Sequence, residues 1–561
     1  MLTAAKNENT VPEGGGNNLW ILPPEARCST VIGILVLTAV MLTLALSWTS
    51  FGSAYYARVL PFYDSLSYQE QYLAITGQNA QHGMRAAFST AWRENGNTAL
   101  SRFAPAIFGG FWPDAKEGLY IYLYSIHFAA IFALLYATWF ATRNLTWAIL
   151  AVTAWLSAHP FSETINGILD QRMDLASAAF CLMVTSLCLC WSRRPSLLGA
   201  LLAGFAAALS VLHRPVMGVT VAGIVIIFWL RATLRERKGI KFWLLHLVLI
   251  ATPGLLLTLP WLWTHFDSLR FYYLVWNVAL GNATSLREAA DYNLGQFIRV
   301  IGQQYVIVVA GAFIWGAYRR RIDWLDLSAV LLAIALPLCL LVVSRSVGNF
   351  LVCQIPLGLL ALTLACVRPA QTTGSSLKNI TAACLVSALL LYTTATSLHS
   401  IKAQVAGVPS GTRTEAIKAI MQIDRKATMP DRILCGFQTA PVPPNGLIAL
   451  AREQGVNLRL GDVRFHPVDF GISNAEAPTL SDHDLQTRFA DALRIMKSGN
   501  TLLILPTVEA EHLLPPDPFS QVHMKIIRRA VEADKSFVLL LTTTPINGIA
   551  LDVFAINRVA P

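Results

Sequence analysis

The chain has 561 residues, of which 54% are hydrophobic and only 14% charged, and its mean hydropathy is +0.50. Soluble domains carry about a quarter charged residues, so this balance excludes an ordinary soluble protein. The net charge of +10 comes with no soluble basic module, which argues against a nucleic-acid partner; basic residues of a multi-pass protein collect in cytoplasmic loops.

Residues 1–30 are polar and rich in Gly and Pro, a pattern expected of a disordered cytoplasmic leader. The segment is too long and too acidic for the start of a cleavable signal peptide, so the first apolar run is expected to remain as an anchor. A membrane helix needs about 20 apolar residues, and runs of that kind number about eleven between residues 31 and 399. They begin with "VIGILVLTAVMLTLALSW" and end with "ITAACLVSALLLYTTATSL". Arg143, Arg193 with Arg194, "RATLRERKGIK", Arg319 to Arg321, and Arg368 with Lys378 fall in alternate loops. Those loops are expected inside, which places the N-terminus inside and the C-terminus outside.

The outward loops hold most of the candidate chemistry. The first, residues 51–118, carries Asp64, Glu70, Arg85, Arg93, Glu94 and Arg102, and loops of that length are usually functional. The second contains "AHPFSETINGILDQRMD", the third is "LHRP", and the fifth is "SRSVGNF". The fourth, "THFDSLRFYYLVWNVALGNATSLREAADYNLGQF", gathers aromatic side chains that suit either a membrane-interface belt or stacking on sugar rings.

Residues 400–561 change to soluble composition and alternate helical stretches with apolar strands such as "RILCGF", "NTLLILP", "SFVLLLTT" and "LDVFAI". That alternation predicts a small α/β domain. It has no Walker loop and no GxGxxG, so nothing marks it as a nucleotide binder. Of the nine cysteines only Cys435 lies in this region, which rules out a disulfide framework within it. The expected fold class is therefore a polytopic α-helical membrane protein of about eleven spans with a soluble α/β domain after the last.

Four groups of residues stand out. Asp64 in "LPFYDSLSYQEQYLA" is either the N-cap of a surface helix or an acid that takes a proton or binds a divalent cation; on that helix Tyr68 and Tyr72 share one face. Asp170 and Asp174 lie four apart with Arg172 between them. Helical spacing puts both carboxylates on one face, and Asp174 abuts an apolar run where an acid is costly. His159 and Glu163 lie just upstream and are candidate additional ligands or interfacial residues. His213-Arg214 and Arg345 are cations on the outward side, suited to phosphate, whether of bulk lipid or of substrate.

Together these features resemble the GT-C class of polytopic glycosyltransferases, which includes protein O-mannosyltransferases, lipid A aminoarabinose transferases and oligosaccharyltransferases. The resemblance rests on the inward N-terminus, the long first outer loop with Asp64, the second acidic loop, the "PW" segment before the aromatic loop, and a late pattern at Arg345, Asn349, Phe350 and Pro356. It departs in having Asp64-Ser65 where many members have paired acids, and Phe350 where Tyr is common.

The resemblance implies transfer of a hexosyl or pentosyl group from a polyprenyl-phosphate donor to a glycan, lipid or protein acceptor, with inversion. It places the enzyme among the lipids of a bacterial inner membrane, with its active site on the periplasmic side. Asp64 would be the catalytic residue, and Asp64 with Asp170 would hold a divalent metal, Mg or Mn. Arg345, Arg172, Arg214, Tyr68 and Asp174 would bind substrate. A polysaccharide ligase or polymerase would share the carrier but usually places its soluble region between two late helices. A secondary transporter would show related halves and polar groups in mid-helix, which this sequence lacks.

Overall fold

The computed structural model describes residues 24–59, 63–93, 99–108, 111, 115–164, 167–171, 173–236, 238–270, 286–319, 321–343, 350–368, 376–426 and 432–435, scattered positions from 442 to 487, and residues 501–513, 528–529 and 531–556. Arg172, Arg345, Asn349 and the aromatic stretch 271–285 lie outside them, and of Asp64 only its place in a helix is described.

Each apolar run of the sequence folds as a helix. The first is α1 (Pro24–Arg58). The long loop after it forms three further helices, α2 (Tyr63–His82), α3 (Met84–Arg93) and α4 (Ala99–Phe108). Next come α5 (Ala115–Thr142), α6 (Leu145–Leu156), α7 (Asp174–Arg193), α8 (Leu197–His213), α9 (Met217–Arg235) and α10 (Ile240–Leu257). Two short helices, α11 (Leu259–Thr264) and α12 (Phe266–Arg270), precede α13 (Leu286–Ile301) and α14 (Gln303–Arg319). The last are α15 (Trp324–Val343), α16 (Phe350–Leu362), α17 (Ser376–Gly407) and α18 (Thr412–Lys426). Among the described residues, six helices are long and apolar enough to cross a membrane, and five more are apolar but shorter. The protein is thus a multi-pass helical membrane protein.

Local sequence explains several boundaries. Asn144 caps α6 by accepting from Trp147 N at 3.0 Å, and Ser196 caps α8 by accepting from Gly199 N at 3.1 Å. At the centre of the bundle stands α7, packed against α5, α8, α9 and α16. Its most apolar window and that of α10 are equally hydrophobic, with mean hydropathies of 1.8 and 1.9, yet 83% of the first is buried and 17% of the second. A helix apolar on all sides belongs in an interior or in lipid. Here α7 takes the protein interior and α10 the lipid side. Gly204 lets α8 approach α10 so closely that a Cβ there would overlap the Ile250 carbonyl.

One end of the bundle is closed by ion pairs. Asp326, in the first turn of α15, is fully buried between Arg193 at the end of α7 and Arg231 at the end of α9. Arg193 also donates to Ala365 O at 3.2 Å and Arg231 to Ser192 O at 2.5 Å. Arg235 and Asp323 pair beside them at 3.3 Å. Arg193 and Arg231, read from sequence as loop cations that set topology, are therefore also interior counter-ions.

Two short strands, β1 (Arg321–Ile322) and β2 (Val367–Arg368), pair antiparallel, and the C-terminal part forms a mixed sheet of β3 (Arg432–Cys435), β4 (Thr501–Pro506), β5 (Phe537–Thr542) and β6 (Leu551–Ile556), in the order β3-β4-β6-β5. β3 and β4 are parallel and the other pairs antiparallel. Ala416, Ala419, Ile420 and Ile423, at helical spacing on α18, pack with Leu502 and Ile504 of β4 and Leu551 and Val553 of β6. The stretch "VNLRL" also has the pattern of a strand, but its residues 457–460 lie outside the described ones.

Candidate active site at the loop-rich end of the bundle

The end opposite the ion-paired cluster gathers α2–α4, the segment 159–174, the end of α8 and the end of α17. Asp64 is the second residue of α2, inside the helix rather than its N-cap, in the first turn where the helix dipole still favours an acid. The helix is fastened along its length. Gln69 donates to Gln171 Oε1 at 2.7 Å, both residues being buried. Tyr72 is buried against Gly118 of α5, where a Cβ would overlap the phenol ring. Arg102 Nε donates to Gln71 Oε1 at 3.1 Å, and Asn79 donates to Ala106 O at 2.9 Å, tying α4 to α2. Tyr68 is half-buried and packs on the bundle core.

The second acidic loop is held mainly by neutral groups. It opens with a 3-10 turn, His159–Ser162. Ile168 N donates to Pro160 O at 2.9 Å, and Gly167 sits so tightly that a Cβ would lie 2.6 Å from the same carbonyl. The Tyr120 hydroxyl donates to Leu169 O at 3.0 Å, and Gln171 N reaches Tyr56 Oη over a long 3.5 Å. Tyr120 in turn stacks on Tyr124 with ring centres 5.3 Å apart and fits over Gly52 of α1. Asp170 is thereby fixed, half-buried, one residue from the Gln69–Gln171 bond. The Gln69–Gln171 bond therefore brings the helix that begins with Tyr63-Asp64 beside the loop that carries Asp170 and Asp174.

Asp174 opens α7, where the helix dipole favours an acid. It forms an ion pair with Arg214, with 15% and 18% of the two side chains exposed. The neighbouring His213 is fully buried. Its Nε2 lies 3.1 Å from Met173 O and its Nδ1 2.8 Å from the Tyr122 hydroxyl. A carbonyl can only accept, so Nε2 carries the hydrogen, and the neutral ring accepts the Tyr122 proton at Nδ1. His213 and Arg214, at the end of α8 and just past it, thus grip Met173 and Asp174 at the start of α7. His159 pairs with Glu163 at 2.8 Å, so each occupies the other.

Arg214 and Asp174, inferred separately from sequence, are partners. A guanidinium has five N–H donors, and its bond to Asp174 uses Nη1. Gln69, Gln171, Tyr120 and Tyr122 were not flagged by sequence. Amides and tyrosines on helices carry no hydropathy or charge signal, and Gln69 and Gln171 are 102 positions apart. Among the described residues no three His, Cys, Asp or Glu side chains come together to hold a metal ion, and Asp174 is committed to Arg214. The Asp64 side chain, which the metal reading pairs with Asp170, lies outside the described residues.

No family model and no curated protein matches the chain. Solved structures do. The crystal structure of ArnT from Cupriavidus metallidurans bound to undecaprenyl phosphate matches with a TM-score of 0.58 at 12% identity, over 94% of this chain and 98% of that one. The apo state of the same protein matches with a TM-score of 0.56 at 13% identity, over 95% and 99%. The fold is therefore that seen in ArnT. An Archaeoglobus fulgidus oligosaccharyltransferase, solved with Zn and sulfate, matches with a TM-score of 0.47 at 12% identity, over 84% of this chain and 68% of that one, and carries no further weight. The bundle, the helices after α1 and the C-terminal sheet follow one another in a single chain that ArnT matches almost end to end.

Proposed function

We propose that the protein is a glycosyltransferase that moves a sugar from a polyprenyl-phosphate donor to a hydroxyl acceptor on the extracytoplasmic side of the membrane. The observation that carries this reading is the Gln69–Gln171 bond, which unites the Asp64 helix with the Asp170–Asp174 loop, in a fold that in ArnT accompanies bound undecaprenyl phosphate. The face is inferred from charge. Arg143, Arg193, Arg194, Arg231, Arg235 and Arg368 lie toward the other end of the bundle, and basic residues favour the cytoplasmic side.

In this reading the acceptor oxygen attacks the anomeric carbon in line with the bond to the phosphate. The carbon–oxygen bond to phosphate breaks with its electron pair leaving on the lipid phosphate, and the configuration inverts. Asp64 takes the acceptor proton, which makes the oxygen a competent nucleophile at neutral pH. Arg345 and Arg172 meet the donor phosphate and stabilise the charge that develops on it. Arg214, oriented by Asp174, adds positive potential at the start of α7. Tyr68 lines the donor-side wall, and Asp64 and Asp170 are the pair that would hold a divalent cation, which would supply further positive charge to the departing phosphate.

The test supplies the purified protein, in nanodiscs, with polyprenyl-phosphate donors carrying a hexose or a pentose, and measures released polyprenyl phosphate together with glycosylated acceptor. Stoichiometric release with an inverted anomeric configuration supports the proposal. A donor turned over with retention, or no turnover of any polyprenyl-phosphate sugar, contradicts it.

A further inference from the structure

The last long helix of the bundle reaches beyond the membrane and grips the acidic loop. α17 has 32 residues, which at about 1.5 Å per residue is longer than the roughly 30 Å hydrocarbon core. On its projecting end Gln404 uses both halves of its amide. Oε1 accepts from Thr164 N at 3.1 Å and from Thr164 Oγ1 at 2.9 Å. Nε2 donates to Ser162 O at 2.8 Å and to Ser400 Oγ at 3.1 Å, and Ser400 Oγ itself donates to Ser162 O at 3.1 Å. Few side chains can do this. A carboxylate loses both donors, an aliphatic side chain loses every bond, and asparagine falls a methylene short.

The grip extends in both directions. Toward the acids, Ser162 and Thr164 belong to the knot closed by Ile168 N on Pro160 O and by Tyr120 on Leu169 O, so fixing them fixes Asp170 six residues on. Toward the C-terminus, Arg58 of α1 donates to Val405 O at 3.0 Å, holding the end of α17. Residues 408–411 then lead into α18, which is sutured to the turn between β5 and β6. Thr412 Oγ1 donates to Asn547 Oδ1 at 2.6 Å, Asn547 N to Glu415 Oε2 at 2.9 Å, and Thr544 N to Gln422 Oε1 at 2.9 Å.

We infer that Gln404 is a positioning residue for the acid-bearing loop, and that through it the placement of Asp170 and Asp174 depends on the helix that carries the C-terminal sheet. As a role in catalysis this rests on the glycosyl-transfer reading; as a mechanical coupling it stands on the hydrogen bonds alone. The C-terminal sheet thereby has a task in the bundle besides any contact with acceptor.

The test compares full-length protein with its Gln404→Leu, Gln404→Glu and Thr164→Val variants by hydrogen exchange and by sugar transfer. In Gln404→Leu, exchange across residues 159–171 is expected to accelerate about tenfold while other segments keep their protection. kcat is expected to fall about tenfold, with KM for the donor within about twofold, because geometry rather than binding is lost. Gln404→Glu and Thr164→Val, which keep part of the network, are expected to fall between; they decide the matter if the leucine variant does not fold. Unchanged exchange across residues 159–171 in every folded variant overturns the inference. If the unsubstituted protein turns over no polyprenyl-phosphate sugar, the functional reading fails instead, and the exchange data alone decide the coupling.

Discussion

The two ends of the bundle hold their helices together by opposite means. At one end Asp326 is buried among Arg193 and Arg231, with Arg235 and Asp323 beside them. At the other, the joints that position the acids are mostly neutral: Gln69 on Gln171, Tyr120 on Leu169 O, Tyr122 on His213, Gln404 on Ser162 and Thr164. A cation placed beside a carboxylate holds it ionised and lowers its affinity for a proton. That is harmless where the carboxylate only ties helices and harmful where it must accept a proton. The contrast teaches that, among the described contacts, the acid-bearing loop is held in place chiefly by neutral bonds, and that Asp174, paired to Arg214, serves placement.

Breaking each end tests this contrast. The largest loss of stability is expected from Asp326→Asn, which leaves two buried guanidinium groups without their counter-ion; removing one partner of a buried ion pair costs about 3–5 kcal/mol. Thermal unfolding in detergent checks this, and a near-normal melting temperature would show that water or lipid phosphate reaches the cluster. Asp174→Asn is expected to cost less, on the order of 2 kcal/mol, because the pair is partly exposed. Removing both charges with Arg214→Gln is expected to recover much of that loss, and a double-mutant cycle on the melting curves reads it. The smallest effect is expected from Gln69→Leu. Taking the Gln69 donor away from the buried Gln171 Oε1 costs about 1–2 kcal/mol, and the accompanying change is a lower kcat from a displaced α2. If Gln69→Leu alters stability but not kcat, the neutral joints are only structural.

Much of this architecture is written locally. Each apolar run became a helix, and "RILC", "TLLILP", "FVLLLT" and "LDVFAI" became strands, because hydropathy and periodicity are properties of a short window. The division of residues 63–108 into three helices was less visible, since their polar faces blur the period. The acidic pair at Asp170 and Asp174 was legible because a charge beside an apolar run is costly. The same rule applied to "WLDLSAVLL" would have found Asp326. What sequence could not supply were the joints: Gln69 with Gln171, and Gln404 with Thr164, lie 102 and 240 positions apart. Nothing in a neutral amide announces its partner, so these contacts emerge only when the helices pack.

The central claim is that Asp64, at the start of α2, does chemistry that the rest of this end only positions. Asp64→Asn keeps the shape of the side chain but cannot accept the proton of an attacking hydroxyl. The direct measurement is release of polyprenyl phosphate by Asp64→Asn alongside its melting temperature. The account expects transfer to fall by at least about 10²–10⁴-fold, the range for loss of a general base, with an unchanged melting temperature. Transfer at the unsubstituted rate by a fully folded Asp64→Asn protein would contradict it.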